Sequence, residues 1–401
     1  MSASTTTPRF HQRHKEFPDR LLAIIALTTI LAAYIFGLAR VENDVLPDFQ
    51  QLVPSAQRFE PISESVYAAY SGVQLIAYIT IGEASGYGGT LEVAVVVDQQ
   101  GKVINLAILN ERETVEYIRR VERAGLPGSL VGKSCQDPFR LGQDVDAISG
   151  ATYTVYAIAQ AVSTGCRQLA TAGLGLDAAE EAKLHIKFGV PEISLILLFA
   201  AGFFAHRQKF KYTRQVRWIS MIAGLLILGF WFNRPLTIVH INQLLLGLWP
   251  SWYENLYWYL LLGGIFLVAT ADNKNPYCEW FCPFGAAQEC IGFVGGAKVH
   301  SPGKFKSYLK WLHRGLAWLA IVLALIFRNP ALSTYEVFSA LFDREGSAAI
   351  FVVLGIVLLA SLVIKRPWCT YLCPLQPVYE IIKLIRRWIV ELWKNNVRKT
   401  A

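Results

Sequence analysis

Charge is scarce in this sequence: Lys, Arg, Asp and Glu make up 17% of its 401 residues, against 53% apolar side chains. So little charge leans away from an ordinary soluble chain and towards a membrane protein. Histidine is also scarce, with seven in all. A haem needs axial ligands, usually histidine. His206, His240 and His313 are not placed at one bilayer depth by the sequence, which argues against one. Cysteine is equally scarce at seven, yet four of the seven stand in two copies of one motif. The net charge of +8 is no sign of a nucleic-acid partner, because of where it lies. Residues 41–186 hold 10 basic and 18 acidic side chains, a net of −8, so the remainder carries +16.

Six apolar runs are candidate membrane spans: Leu21–Leu38, Glu192–Ala205, Trp218–Phe232, Leu256–Ala271, Leu316–Phe327 and Ala348–Ile364. The basic residues cluster beside alternate ends of these runs, which is the positive-inside pattern. The expected fold is an α-helical polytopic membrane protein of about six transmembrane helices with an inserted, extracytoplasmic α+β domain. Residues 1–40 form a cytoplasmic N-terminus and first span, although Gly37-Leu38-Ala39 resembles a signal cleavage site. Residues 41–186 form the exported domain. Residues 187–376 hold five more helices and both cysteine motifs. Residues 377–401 form a basic amphipathic tail on the inner surface. The stretch "LWPSWYENLYWYL" is an interfacial aromatic belt, with a quinone pocket as its functional alternative.

In the exported segment, Val93, Val95 and Val97, then Val103, Leu106 and Ile108, predict two strands around the turn Asp98–Gly101. "RETVEYIRRVERAGLPG" predicts a short helix ended by glycine and proline. "DVDAISGATYTVYAIAQAV" predicts a tight Ser149-Gly150 turn opening a helix near Ala151. Such a turn points free N–H groups and the positive helix end at one place, a natural phosphate seat. A plain N-cap by Ser149 explains the same residues. The run Asp146-Ala-Ile-Ser149-Gly150-Ala151-Thr152-Tyr-Thr154 resembles the signature of the FMN-binding domain of RnfG, NqrC and NosR-type proteins. The resemblance implies FMN joined to Thr152 through a phosphoester by a separate flavin transferase. Ser149, Gly150, Ala151, Thr154 and Asp146 then surround the cofactor, with Glu113 and Thr114 upstream in the family's order. Cys135 and Cys166 are either a disulfide or two buried thiols.

The repeated motif reads Lys274-x-Pro276-Tyr277-Cys278-x-Trp280-Phe281-Cys282-Pro283 and Lys365-x-Pro367-Trp368-Cys369-x-Tyr371-Leu372-Cys373-Pro374. Cysteines four apart in a helical turn point the same way, and the proline stops the turn. Cys278, Cys282, Cys369 and Cys373 can therefore serve one site: an iron–sulfur cluster, a zinc or copper ion, or metal-free redox thiols. The arrangement resembles the membrane part of the NosR/NirI family and of NapH-like quinol-linked proteins. It implies a cluster, [4Fe–4S] in type, within a multi-pass protein of the inner membrane. Electrons would pass between a quinol or cytoplasmic-side donor, the cluster and a periplasmic FMN. They would serve a periplasmic respiratory reductase or its maturation. A redox-sensing regulator of the NosR type is the alternative. No cysteine follows Cys373, so a short form without the family's C-terminal ferredoxin domain is expected. With flavin outside and cluster inside, a hydrocarbon core of ~30 Å would separate them.

Overall fold

The structure is a computed structural model describing residues 10–40, 46–86, 88–111, 113, 115–148, 150–173, 175, 177–179, 186, 188–207, 211–253, 255–272, 275, 277–299, 306–332 and 335–400. A long first helix, α1 (Phe10–Ala39), and the short α2 (Leu46–Leu52) lead into an antiparallel sheet. Its strands are β1 (Arg58–Ser63), β2 (Val66–Ser71), β3 (Gln74–Ser85), β4 (Thr90–Val97) and β5 (Val103–Glu111), in simple meander order. The two strands legible in the sequence are β4 and β5. The other three complete the sheet on their far side.

Side chains alternate across a strand, and in β4 both faces are buried. Leu91, Val93, Val95 and Val97 face one core with α3 (Val115–Arg123), α4 (Leu126–Leu130) and α5 (Thr152–Thr171). Ala94 and Val96 face a second core with Phe49, Ala69, Ala77 and Ile79. The helix α5 lies close on the sheet: Thr80 Oγ1 donates to the Gly165 carbonyl at 3.0 Å, and a Cβ at Gly82 would collide with the Ala161 carbonyl. This seat fixes the helix whose first residue is Thr152. Cys135 and Cys166 form a disulfide that ties the loop after α4 to α5.

The remaining helices are α6 (Val190–Arg207), α7 (Thr213–Ala223), α8 (Ile238–Leu246), α9 (Leu256–Asp272), α10 (Pro283–Gly295), α11 (Lys306–Ile326), α12 (Phe338–Phe342), α13 (Ala348–Ser361), α14 (Pro367–Tyr371) and α15 (Leu375–Thr400). Two π-helical segments, Gly224–Trp231 and Tyr277–Phe281, interrupt them.

The expectation of about six membrane-crossing helices does not hold. Among the described residues, two helical stretches are long and apolar enough to cross a membrane, Leu21–Ala39 and Ser307–Ile326. Three other apolar runs end sooner, as Val190–Ala205, Leu256–Thr270 and Ala348–Ser361. A hydrocarbon core of ~30 Å needs about 20 helical residues. The run around Trp218 is divided between α7 and the first π-helix. The two long stretches pack on each other, with Trp318 Nε1 donating to Thr29 Oγ1 at 3.0 Å.

The disulfide gives a direct test. Replacing Cys135 and Cys166 together by alanine is expected to destabilise the sheet domain by about 2–4 kcal/mol. Chemical denaturation followed by a probe in this region checks it, and an unchanged midpoint would contradict the account.

Candidate functional site

Gly150, at a positive φ of 78°, turns the chain into α5, and the residues that follow open onto a cavity of about 790 Å³. Residues 150–154, Tyr117 and Arg120 line one side of it, and residues 230–233 and 341–344 line the other. Thr152 is exposed to the cavity, with its hydroxyl donating to the Ile148 carbonyl at 3.2 Å. Thr154 is buried, and its hydroxyl has no hydrogen-bond partner among the described residues. Such a group is costly to leave unpaired, and it belongs to the cavity wall.

The other predicted residues divide. Asp146 is exposed and is not part of the cavity lining. Glu113 is buried, and its carboxylate accepts from the Gly88 N–H at 2.7 Å. It holds the glycine turn before β4 rather than lining the cavity. Ser149 and Thr114 lie outside the described residues.

Charged and polar contacts join the two walls. Tyr117 donates its hydroxyl to Asp343 Oδ2 at 2.7 Å and Arg120 pairs with Glu345, while Asn233 donates to Asp343 within the far wall. The Arg234 guanidinium lies 4.9 Å from the Tyr153 ring and pairs with Glu192 at 3.1 Å. Burial pushes the Asp343 carboxyl up, and the Tyr117 hydroxyl and Arg120 oppose that push.

The four repeated cysteines converge in a second, buried place. In the first motif the Cys282 N–H bonds to the Tyr277 carbonyl at 2.7 Å, and in the second the Cys373 N–H bonds to the Trp368 carbonyl at 2.9 Å. Both are bonds to the fifth preceding residue at matching positions of the repeat. The duplication therefore extends to the backbone, and the first turn is π-helical rather than α-helical. Irregular turns of this kind are frequent at functional sites. Burial pushes all four thiols up. Neighbouring cysteines raise Cys278, Cys282 and Cys373 further, while Arg366 pulls Cys278, Cys282 and Cys369 back.

Residues with no motif signal complete this pocket. Asn275 Nδ2 donates to Cys278 Sγ at 3.1 Å, and Gln288 Nε2 donates to Cys369 Sγ at 3.3 Å. The Gln288 oxygen accepts the Trp368 N–H at 2.9 Å. Arg366 donates to the Cys278 carbonyl at 2.6 Å and pairs with Glu289 at 3.3 Å, where Arg217 and Lys365 also converge. His313 bonds to the Cys373 carbonyl, and His240 pairs with Thr237 in the capping box of α8. Among the described residues, no three His, Cys, Asp or Glu side chains are grouped to hold a single metal ion. A four-iron cluster takes one thiolate at each iron and so needs a wider cage than one ion does.

The cavity and the cysteine pocket are neighbours. Phe342, on the cavity wall, and Pro283, next to Cys282, meet over Gly229. Their atoms lie 2.7 and 3.1 Å from where a Cβ at Gly229 would stand. Gly229 thus touches the cavity wall through Phe342 and the first cysteine motif through Pro283, and the expected separation by a whole hydrocarbon core is not found between those contacts. Aromatic rings run alongside. Phe230 meets Phe342 at 5.2 Å, and Phe284 meets Phe338 at 5.0 Å and Trp368 at 5.9 Å.

Residues 86–166 match the FMN-binding domain, and residues 254–302 and 347–392 match a 4Fe-4S binding domain. The resemblance to the NosR/NirI type holds. The chain is 28% identical over 159 residues to a component of the proton-translocating ferredoxin:NAD(+) oxidoreductase complex of Clostridium ljungdahlii, covering 38% of this chain and 83% of that component. It is 30% identical over 139 residues to YccM of Escherichia coli, covering 31% of this chain and 39% of YccM. It is 30% identical over 177 residues to protein NirI of Paracoccus denitrificans, covering 40% of this chain and 26% of NirI. The matches thus span less than half of the two longer relatives. An FMN-binding and a 4Fe-4S binding domain in one chain make electron transfer its class of function.

Near the cysteines, both Glu336 oxygens accept the Ile238 N–H at 3.1 Å. Burial pushes this carboxyl from 4.5 up to about 8, with the Ile238 bond opposing. A carboxyl raised on folding contributes stability that is complete below pH 4.5 and is lost as pH rises through about 8. Unfolding midpoints measured across this range are expected to fall with pH, and Glu336→Gln is expected to flatten the slope. Equal slopes in the two proteins would contradict the assignment.

Proposed function

We propose that this protein is a membrane-anchored electron carrier that passes electrons between an iron–sulfur cluster and a covalently held FMN. The observation that carries the reading is that Phe342, on the wall of Thr152's cavity, and Pro283, next to Cys282, both pack against Gly229. Electron exchange between two centres depends steeply on the distance between them, and this packing places the cavity wall beside the first cysteine motif.

Thr152 is the attachment point for the FMN phosphate, loaded by a separate flavin transferase. Its hydroxyl is exposed at a helix start, where a phosphate is favoured. The partnerless Thr154 hydroxyl next to it fits a ligand rich in acceptors. Isoalloxazine accepts one or two electrons, and the protein supplies position and electrostatics.

Cys278, Cys282, Cys369 and Cys373 are the cluster ligands, [4Fe–4S] in type. Burial, the two N–H donors to sulfur and the Arg366 cation suit a cluster of net negative charge. The helices containing Leu21–Ala39 and Ser307–Ile326 anchor the chain in the bilayer. The disulfide and the acidic balance of residues 41–186 support an oxidising, outward-facing side for the flavin domain. The electron donor is a quinol or a cytoplasmic-side protein, and the acceptor is a periplasmic reductase. The clostridial relative is part of a ferredoxin:NAD(+) oxidoreductase complex, which supports a place in a larger electron-transfer chain.

The mass and absorption spectrum of anaerobically purified protein test the two assignments together. An added FMN mass is expected, and it should be lost in Thr152→Ala. Broad visible absorbance should be lost in Cys278→Ala. An unmodified wild-type mass would overturn the flavin assignment, and colourless protein would overturn the cluster.

Gln288 gives a finer test. Hydrogen bonds to ligand sulfur raise a cluster's reduction potential. Gln288→Leu, which removes the donor to Cys369, is expected to lower the midpoint in a redox titration. A midpoint at or above the wild-type value would exclude this role.

A further inference from the structure

The FMN-binding domain provides only part of the cavity around Thr152. Its far wall comes from outside residues 86–166, out of the segments 230–233 and 341–344. We propose that these two segments complete the flavin site and that the isoalloxazine ring lies against them. The proposal rests on Thr152 carrying FMN and goes beyond it by assigning the ring's surroundings.

Three features of the wall point to a flat, aromatic ligand. First, it is built of aromatic side chains that the protein does not itself cover: Trp231 is 71% exposed and Phe230 is 51% exposed. Trp231 and Phe232 stand nearly parallel, 10° apart with centroids at 5.3 Å. Offset stacking is the arrangement such rings favour with a further flat ring. Second, two residues bordering the wall, Asn233 and Arg344, have positive φ values of 45° and 59°. Non-glycine residues held there mark strained loops of the sort found at ligand clamps. Third, the contacts of Tyr117 with Asp343 and of Arg120 with Glu345 fix the wall against the domain that holds Thr152, and Asn233, donating to Asp343, ties the wall's two segments together. The cavity's size, about 790 Å³, lies within the ~300–1,000 Å³ of small-molecule and cofactor sites.

The Thr152 side of the cavity carries Thr154 and Arg120, and the facing segments carry Phe230, Trp231 and Phe232 beside Asn233, Asp343 and Arg344. FMN, whose phosphate and ring are at opposite ends of a ribityl chain, can reach from the threonines to the aromatic rings of the facing segments.

A tryptophan in contact with a flavin quenches its fluorescence by electron donation. The test uses the full-length protein isolated with its flavin, comparing wild type with Trp231→Leu and with Trp249→Leu, a second exposed tryptophan away from the cavity lining. Intact mass reports flavin loading in each. The expected result is weak flavin emission in wild type and in Trp249→Leu, and a severalfold rise in Trp231→Leu at equal loading. Equal emission from Trp231→Leu and wild type, with the FMN mass present in both, would overturn the proposal. Loss of the FMN mass from wild type would instead overturn the attachment at Thr152. Because Trp231 is largely exposed, its replacement leaves the packed core intact. Iodide quenching of the bound flavin provides a second readout: the ring should be shielded in wild type and more accessible in Trp231→Leu.

Discussion

The packing of Phe342 and Pro283 over Gly229 is the constraint on which the rest depends. Glycine is needed there because any side chain would displace either the ring or the proline. Phe342 belongs to the wall of the cavity, and Pro283 begins the helix capped by Cys282. One residue thus sets the spacing of both places. Cores transmit strain because they are close-packed, so a change at Gly229 would be felt at the flavin motif and at the cysteines together. The rings of Phe338 and Phe342, one helical turn apart on α12, carry the same layer towards Phe284 and Trp368.

Electrostatics in the cysteine pocket follow from burial. Thiols there resist ionisation, and Arg366 is the nearby cation that favours it. Arg366 is itself held by Glu289, whose carboxyl burial pushes up but Arg217, Arg366 and Lys365 together bring below its ordinary range. Arg366 is thus a partly buried cation beside buried sulfur, and its pairing with Glu289 spares it the cost of an unpaired charge. That placement suits the cluster site proposed for the four cysteines. Arg366 also takes up a positive φ of 50° to start α14, so its place is enforced by backbone as well as by charge.

The sequence made the local features legible. The turn before Thr152 and the two cysteine repeats are contiguous, and their residue types carry the chemistry by themselves. The strands β4 and β5 were legible through Val93, Val95 and Val97 and through Val103, Leu106 and Ile108. β2 and β3 were not, because their buried positions are largely alanine, threonine and glycine: Ala68, Ala69, Ala77, Thr80 and Gly82. Small residues carry a weak apolar signal even when fully buried. The π-turn at Tyr277–Phe281 was invisible, since cysteines four apart suit an α-turn equally well. Span count failed for a related reason: apolar runs report composition, whereas helix ends depend on packing. The contact between α3 and residues 341–345 joins positions 226 apart in sequence, as at Tyr117 and Asp343. No local pattern encodes it. Asn275 and Gln288 were missed because amides at those positions look like ordinary polar residues until the sulfur atoms beside them are seen.

The seating of the domain that bears Thr152 on the segment from Phe342 to Glu345 can be tested without any cofactor. Cysteines placed at Arg120 and Glu345, whose side chains touch in the structure, can be treated in native membranes with a short bifunctional thiol reagent. Digestion and mass analysis then identify any joined peptides. The account predicts a cross-link between these two positions in high yield. Labelling of both cysteines without cross-linking would contradict it.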